Sequence, residues 1–226
     1  MQSIAQLTSG QSDSNQLAAS LSLYLVTDSK MCTQRGLNET VCAAINGGVS
    51  FVQLRDKYAD DEQLYHMACS LKEAIAGRVP LVINDRVLIA KKAGVDGAHI
   101  GQTDGKVNEA RAILGPDAIL GLTINNLQQL QQAQTNYLQQ LSYFGIGPVF
   151  ATNTKKNHSQ PLGVAGIQAL VAASKLPTVA IGGIQLDNAH SVFRTGCSGI
   201  AVVSAICGAK DPASAATALR KQQTRY

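Results

Sequence analysis

From Leu23 onward, short β-branched or apolar runs alternate with amphipathic stretches, and the alternation recurs eight times before the chain ends. The candidate strands are LYLVTD (23–28), SFVQLR (50–55), PLVIND (80–85), GAHIGQ (97–102), AILGLTI (118–124), YFGIGP (143–148), PTVAIGG (177–183) and GIAVVSA (199–205). Helical periodicity fills the intervals, over Leu37 to Asn46, Asp61 to Ala76, Val87 to Ala93, Val107 to Leu114, Leu127 to Leu141, Val164 to Ser174, Leu186 to Thr195 and Pro212 to Gln222. Such alternation implies parallel strands covered by helices. The segments AGVDG (93–97) and TGCSG (195–199) agree with it, because each places glycine at a helix end and again before a strand. Those are the positions of a left-handed cap and a tight turn.

Eight units in 226 residues suit one closed barrel, since such barrels run to about 200–250 residues or more as one domain. A doubly wound open sheet would carry a Gly-x-Gly-x-x-Gly turn after its first strand, and LYLVTDSKMC has no glycine there. The expected fold is therefore α/β, a single (β/α)8 TIM barrel over residues 21–226. Residues 1–20 read as a polar, Ser/Gln-rich extension with a short helix around Gln16 to Leu21. With 45% apolar residues and no tryptophan, the core must be built from aliphatic side chains. The glutamine-rich stretch NNLQQLQQAQTNYLQQL keeps Leu127, Leu130, Ala133 and Leu141 near helical spacing, which predicts a solvated helix face.

Several function classes find no support. The formal charge of +4 comes without a Lys/Arg run, so no nucleic-acid footprint is expected, whereas small anionic substrates fit. No apolar run approaches the roughly 18 residues of a membrane span, and the N-terminus does not read as a secretory signal. Five cysteines without a Cys-x-x-Cys pair point to reduced core thiols and a cytoplasmic setting. No Gly-x-Ser-x-Gly elbow, Cys-His constellation or paired strand-end glutamates appear, which argues against nucleophilic catalysis and glycoside hydrolysis. His66, His99 and His190 are expected to pack or face solvent rather than act as bases.

In a barrel of this kind, polar residues at the C-terminal ends of strands read as functional. The second strand ends in Gln53-Leu54-Arg55-Asp56-Lys57, and alternation aims Gln53 and Arg55 to one side. A guanidinium there needs an anion: either a phosphate or, as the plainer alternative, a salt bridge to Asp56 or another barrel carboxylate. The third strand ends in Asn84-Asp85, and Asp104 follows the fourth. Mg2+ is commonly held by one or two carboxylates together with water and phosphate oxygens, so this pair suits a diphosphate-bound ion. Alternatively, Asp85 caps the next helix and Asp104 sits in a turn. After the sixth strand, Thr152-Asn153-Thr154-Lys155-Lys156 combines hydroxyls, backbone N–H groups and ammonium groups that can cradle phosphate, or simply forms a solvated basic loop. The last two strands end at Gly182-Gly183 and Val203-Ser204, where such barrels often bind a phosphate.

In order, LYLVTD, FVQLRDK, VINDR, GAHIGQTD, YFGIGPVFATNTKK, AIGGI and VVSAI resemble the thiamine phosphate synthase family over nearly the whole chain from about Leu23. The resemblance implies Mg2+-assisted joining of a hydroxymethylpyrimidine diphosphate to a thiazole phosphate, giving thiamine phosphate and pyrophosphate. Carried over, it implies that Gln53, Leu54, Arg55, Asp56, Lys57, Asn84 and Lys155 hold the pyrimidine diphosphate and that Asp85 and Asp104 ligate the metal. Thr152, Asn153, Thr154, Gly183, Val203 and Ser204 would hold the thiazole phosphate, and Arg55 and Lys155 would stabilise the leaving group. The implied mechanism is dissociative and asks for no general base. One departure follows the fifth strand, where the family commonly has serine and, two positions on, histidine; this chain has Thr123, which keeps a hydroxyl, and Asn125. Two rival readings are a relative of the family's thiazole tautomerases, which lack the carboxylate pair, and a non-catalytic phosphate-ligand sensor.

Overall fold

The computed structural model describes residues 15–32, 35–103, 106–152 and 160–223. Strands β1 (Leu23–Val26), β2 (Phe51–Leu54), β3 (Leu81–Asn84), β4 (Gly97–Ile100), β5 (Ile119–Ile124), β6 (Tyr143–Ile146), β7 (Thr178–Ile181) and β8 (Gly199–Val202) form a closed parallel barrel in sequence order. β8 pairs back onto β1 with Leu23 beside Ile200 and Leu25 beside Val202. The helices are α1 (described over 15–20), α2 (Leu37–Asn46), α3 (Asp61–Ile75), α4 (Val87–Ala93), α5 (Val107–Leu114), α6 (Leu127–Tyr137), α7 (Gly163–Ala173), α8 (Ala189–Phe193), α9 (Ser204–Cys207) and α10 (Pro212–Gln223). This is the (β/α)8 architecture that the eightfold alternation predicts.

The strands are shorter than their apolar runs. Thr27-Asp28, Gly101-Gln102, Gly147-Pro148 and Gly182-Gly183 leave the ladder and become rim loops. Ser204, expected within the last strand, instead opens α9. α8 begins at Ala189 rather than Leu186, because the Asn188 side chain accepts from the Gln185 N–H at 2.9 Å and donates to the Gly183 carbonyl at 3.0 Å, holding a turn ahead of it. α6 stops at Tyr137, and 138–140 form a turn that leads into buried Leu141.

Alternation along each strand separates two packed layers. Leu25, Leu54, Ile83, Ile100, Leu122, Phe144 and Ile200 face the helices and form an apolar outer layer with Leu64, Leu71, Ile167 and Leu219. Each fully buried leucine there contributes about 1.5–3 kcal/mol. The inner set, Tyr24, Val26, Phe51, Val82, Tyr143, Val179 and Ala201, fills the barrel itself, with Leu21 packed in the same cluster and Leu17 of α1 against it. The described part of the N-terminal stretch thus contributes one leucine, Leu17, to the inner packing. Helix ends follow local chemistry: Asp60 and Gln63 form a reciprocal capping box on α3, and Gly94 closes α4 in the left-handed conformation. The five cysteines are unbridged, and no described helix is long and apolar enough to cross a membrane.

Candidate active site

The C-terminal ends of the strands surround a cavity of about 540 Å³. Its first wall is the end of β2, where the parity of Phe51 and Gln53 carries on to Arg55, so both polar side chains line the cavity. Leu54 faces the other way, fully buried in the outer layer. The Thr27 hydroxyl accepts from the Arg55 N–H at 3.0 Å and so fixes the backbone from which the guanidinium projects. Among the described residues, Arg55 forms no ion pair, whereas Arg86 at the neighbouring strand end pairs with Asp61 at 3.1 Å. The salt bridge to Asp56 that the sequence also allowed does not form. The Asp56 carboxylate instead accepts the N–H groups of Tyr58 at 2.7 Å and Ala59 at 2.9 Å and shapes the loop into α3. Partial burial pushes the Asp56 pKa upward, but those N–H groups, the Ser29 hydroxyl and the charge of Arg86 together hold it below the usual carboxylate range. Lys57 is exposed on the same loop.

The second wall is the end of β3. Asn84 lines the cavity, and its amide donates to Asp85 Oδ2 at 2.6 Å. Asp85 adopts φ 61°, a left-handed conformation unusual outside glycine, and its N–H extends the ladder to the His99 carbonyl at 2.8 Å. It does not cap α4: the residue at that position is Arg86, with no side-chain cap bond. The strained residue is thus a carboxylate buttressed by a neighbouring amide at the mouth of the barrel. A hard-oxygen donor of this kind fits Mg2+, which takes one or two protein carboxylates and completes its shell with water and phosphate oxygens. No cluster of three or more His, Cys, Asp or Glu side chains suited to a metal occurs among the described residues. Asp104 lies outside the described residues.

The third wall joins the loops after β6, β7 and β8. Val149 and Phe150 donate to the Ile181 and Gly182 carbonyls at 2.9 and 3.0 Å, so the loop after β6 runs against the end of β7. Gly182 and Gly183 allow this: a Cβ on Gly183 would meet the Ala151 carbonyl oxygen at 2.6 Å, and one on Gly182 would meet Pro148 Cβ at 2.6 Å. The glycine pair is explained first by chain packing, and Thr152, Gly183, Val203 and Ser204 all line the cavity. The Ser204 hydroxyl accepts from Gln185 Nε2 at 3.0 Å. Asn125 donates to the Gly147 carbonyl at 2.6 Å, tying the loop after β5 to the base of the loop after β6. Asn153, Thr154 and Lys155 lie outside the described residues.

Sequence reasoning missed the cavity floor. Gln53 Nε2 lies 2.7 Å from the Tyr24 hydroxyl, which is 2.8 Å from the Tyr143 hydroxyl. Tyr143 in turn lies 2.9 Å from His99 Nδ1, and His99 Nε2 lies 2.9 Å from the Thr123 hydroxyl. His99, expected merely to pack, is the centre of a buried polar chain. Burial pushes both tyrosine pKa values well up, so both stay protonated. The signal available in the sequence was two inward-facing glycines: a Cβ on Gly121 would meet Tyr143 Cζ at 2.3 Å and His99 Nδ1 at 2.5 Å, and one on Gly145 would meet His99 Cε1 at 2.9 Å. His66 and His190 behave as expected, on α3 beside Glu62 and on α8 against the Gln222 carbonyl.

With this geometry in place, comparison with known proteins is specific. Residues 23–206 match the family model described as thiamine monophosphate synthase. The chain is 63% identical to the thiamine-phosphate synthase of Psychrobacter sp. (strain PRwf-1) over 209 residues, covering 92% of this chain and 98% of that one. It is 46% identical over 204 residues to the thiamine-phosphate synthase of Leptospira biflexa serovar Patoc, covering 88% and 96%. Among solved structures, thiamine phosphate pyrophosphorylase from Pyrococcus furiosus superposes with a TM-score of 0.82 at 33% identity, covering 91% of this chain and 96% of that one. The chain belongs to the thiamine monophosphate synthase family, and it is a transferase.

Proposed function

We propose that this chain makes thiamine phosphate from a 4-amino-2-methyl-5-hydroxymethylpyrimidine diphosphate and a thiazole phosphate, with the first two cavity walls holding the diphosphate and the third holding the thiazole phosphate. The observation that carries the assignment of the walls is Arg55, a guanidinium that lines the cavity and has no ion-pair partner among the described residues. A cation in a partly enclosed cleft is favourable only when an anion arrives. Gln53, Asn84 and Thr123 line the same cavity. Lys57 and Lys155 complete the anion site in this reading, with Asp56 and Leu54 supplying backbone and loop geometry.

In the reaction, the bond between the exocyclic methylene carbon and the diphosphate oxygen breaks, and its electron pair leaves with pyrophosphate. The electron-rich aminopyrimidine carries the resulting positive charge until the thiazole nitrogen donates its lone pair to the methylene carbon. No proton moves, so the chemistry asks for no general base. Negative charge grows on the departing bridge oxygen, where Arg55 and Lys155 act; removing one such donor from a preorganised site typically costs about 100- to 1000-fold in turnover. Mg2+ held by Asp85 and Asp104 would add charge neutralisation on the diphosphate. Thr152, Asn153, Thr154, Gly183, Val203 and Ser204 hold the thiazole phosphate and set the nitrogen facing the methylene carbon.

Incubating the purified protein with both substrates and Mg2+ should release pyrophosphate and thiamine phosphate in equal amounts; no product above a protein-free control contradicts the reading. The division of the walls is tested separately with Asp104→Ala and Lys155→Ala. Both should lose turnover while retaining thiazole-phosphate binding, and equal loss of both properties contradicts the assignment.

A further inference from the structure

We infer that Gln185, in the turn between β7 and α8, is a positioning residue for the thiazole phosphate: its side-chain amide holds the Ser204 hydroxyl so that the hydroxyl hydrogen is left for the phosphate. The inference rests on the proposed function and adds to it a residue that sets one of the phosphate's donors. Its basis is a bond that spans two strand ends, from Gln185 Nε2 to Ser204 Oγ at 3.0 Å, with both residues lining the cavity.

A serine hydroxyl has one hydrogen and two lone pairs, whereas a glutamine amide offers either an NH2 donor or a carbonyl acceptor. With the NH2 group turned to Ser204, one lone pair of Oγ is taken up, and no described residue accepts the hydroxyl hydrogen. With the amide reversed, the hydroxyl would donate to Gln185 Oε1 and meet an arriving anion with its lone pairs. Only the first arrangement lets Ser204 donate to a phosphate. Gln185 is exposed, so water serves its carbonyl oxygen and the productive orientation leaves no buried polar group unsatisfied.

The backbone around Gln185 is fixed independently of this bond. The Gln185 N–H donates to Asn188 Oδ1 at 2.9 Å, the Gln185 carbonyl accepts from the Ala189 N–H at 2.9 Å, and Asn188 Nδ2 donates to the Gly183 carbonyl at 3.0 Å. Asn188 thus sets the turn, and the Gln185 side chain is left to reach across to Ser204, the first residue of α9. Truncating that side chain removes no bond that shapes the turn. Its effect on the ligand therefore passes through the Ser204 hydroxyl.

The test is a double-mutant cycle on thiazole-phosphate binding, measured by calorimetry in the parent, Gln185→Ala, Ser204→Ala and the double variant. Loss of the Ser204 hydroxyl should weaken binding about 10- to 100-fold and loss of the Gln185 amide about 3- to 10-fold, as expected for hydrogen bonds to a charged group. The double variant should bind no more weakly than Ser204→Ala alone. Losses that multiply in full overturn the inference, because Gln185 would then act without Ser204. Gln185→Glu gives a second reading, since its carboxylate keeps a bond to Ser204 but can only accept. It should bind thiazole phosphate more weakly than Gln185→Ala; binding as tight as that of Gln185→Ala, or tighter, marks a merely structural tie and overturns the inference. In steady-state kinetics, Gln185→Ala should raise KM for thiazole phosphate in step with the binding constant while KM for the pyrimidine diphosphate moves less than about twofold, and equal rises in both overturn the inference. An active parent with an uncoupled cycle contradicts this inference alone. A parent with a coupled cycle that releases no pyrophosphate contradicts the proposed reaction and leaves the role of Gln185 standing.

Discussion

The two layers on either side of the barrel sheet are built from the same strands, yet they are chemically unlike. The outer layer, between sheet and helices, is a continuous apolar core in which Leu54, Ile83, Leu122 and Ile200 are almost wholly buried. The inner layer contains two tyrosines, a histidine, a glutamine and inward-facing glycines, and above them sit an arginine without an ion-pair partner among the described residues and a left-handed aspartate. Stability and chemistry are therefore separated by residue parity rather than by region. Neighbours in sequence can belong wholly to one or the other.

The comparison breaks most visibly at its extremes. Arg55→Ala should lower turnover about 100- to 1000-fold while leaving thermal stability close to that of the parent, since no ion pair among the described residues is lost; steady-state kinetics alongside a thermal melt reads both. Leu54→Ala should cost about 2–5 kcal/mol in denaturant unfolding. Its activity per folded molecule should remain near the parent's. Gly121→Ala sharpens the inner side: its Cβ would lie 2.3 Å from Tyr143 Cζ, so about 1–3 kcal/mol of stability is lost to overpacking, together with turnover, because the same atom displaces His99. The smallest effect is expected on the rim loop. Asp56 has its pKa depressed in the folded protein, so its contribution is present above the ordinary carboxylate range and fades as pH falls through the folded value. Asp56→Asn should cost up to about 1 kcal/mol near neutral pH, and parent and variant should converge in acid.

The outer layer was legible in the sequence because it depends on period and apolarity alone. All eight strands and the helices between them follow from that pattern, and α4 and α5 match it to the residue. What escaped depended on partners distant in sequence. The α9 turn was read as strand because Val202-Val203 continues an apolar run, and α8 lost its first turn to the side chain of Asn188. The rim residues Gln53, Arg55, Asn84 and Asp85 were legible because strand ends in such a barrel converge on one face. The absence of an Arg55–Asp56 bridge was not, since it depends on Asp56 binding the N–H groups of Tyr58 and Ala59 instead. The role of His99 gives no local signal, because its partners, Tyr143 and Thr123, lie 44 and 24 positions away. Only the closed barrel brings them together.

The separation of stability from chemistry is tested most directly at two consecutive residues, by measuring pyrophosphate release per folded molecule for Leu54→Ala and Arg55→Ala under one set of conditions. The account predicts near-parent release from the destabilised Leu54 variant and near-complete loss from the stable Arg55 variant. Comparable release from the two variants would contradict it.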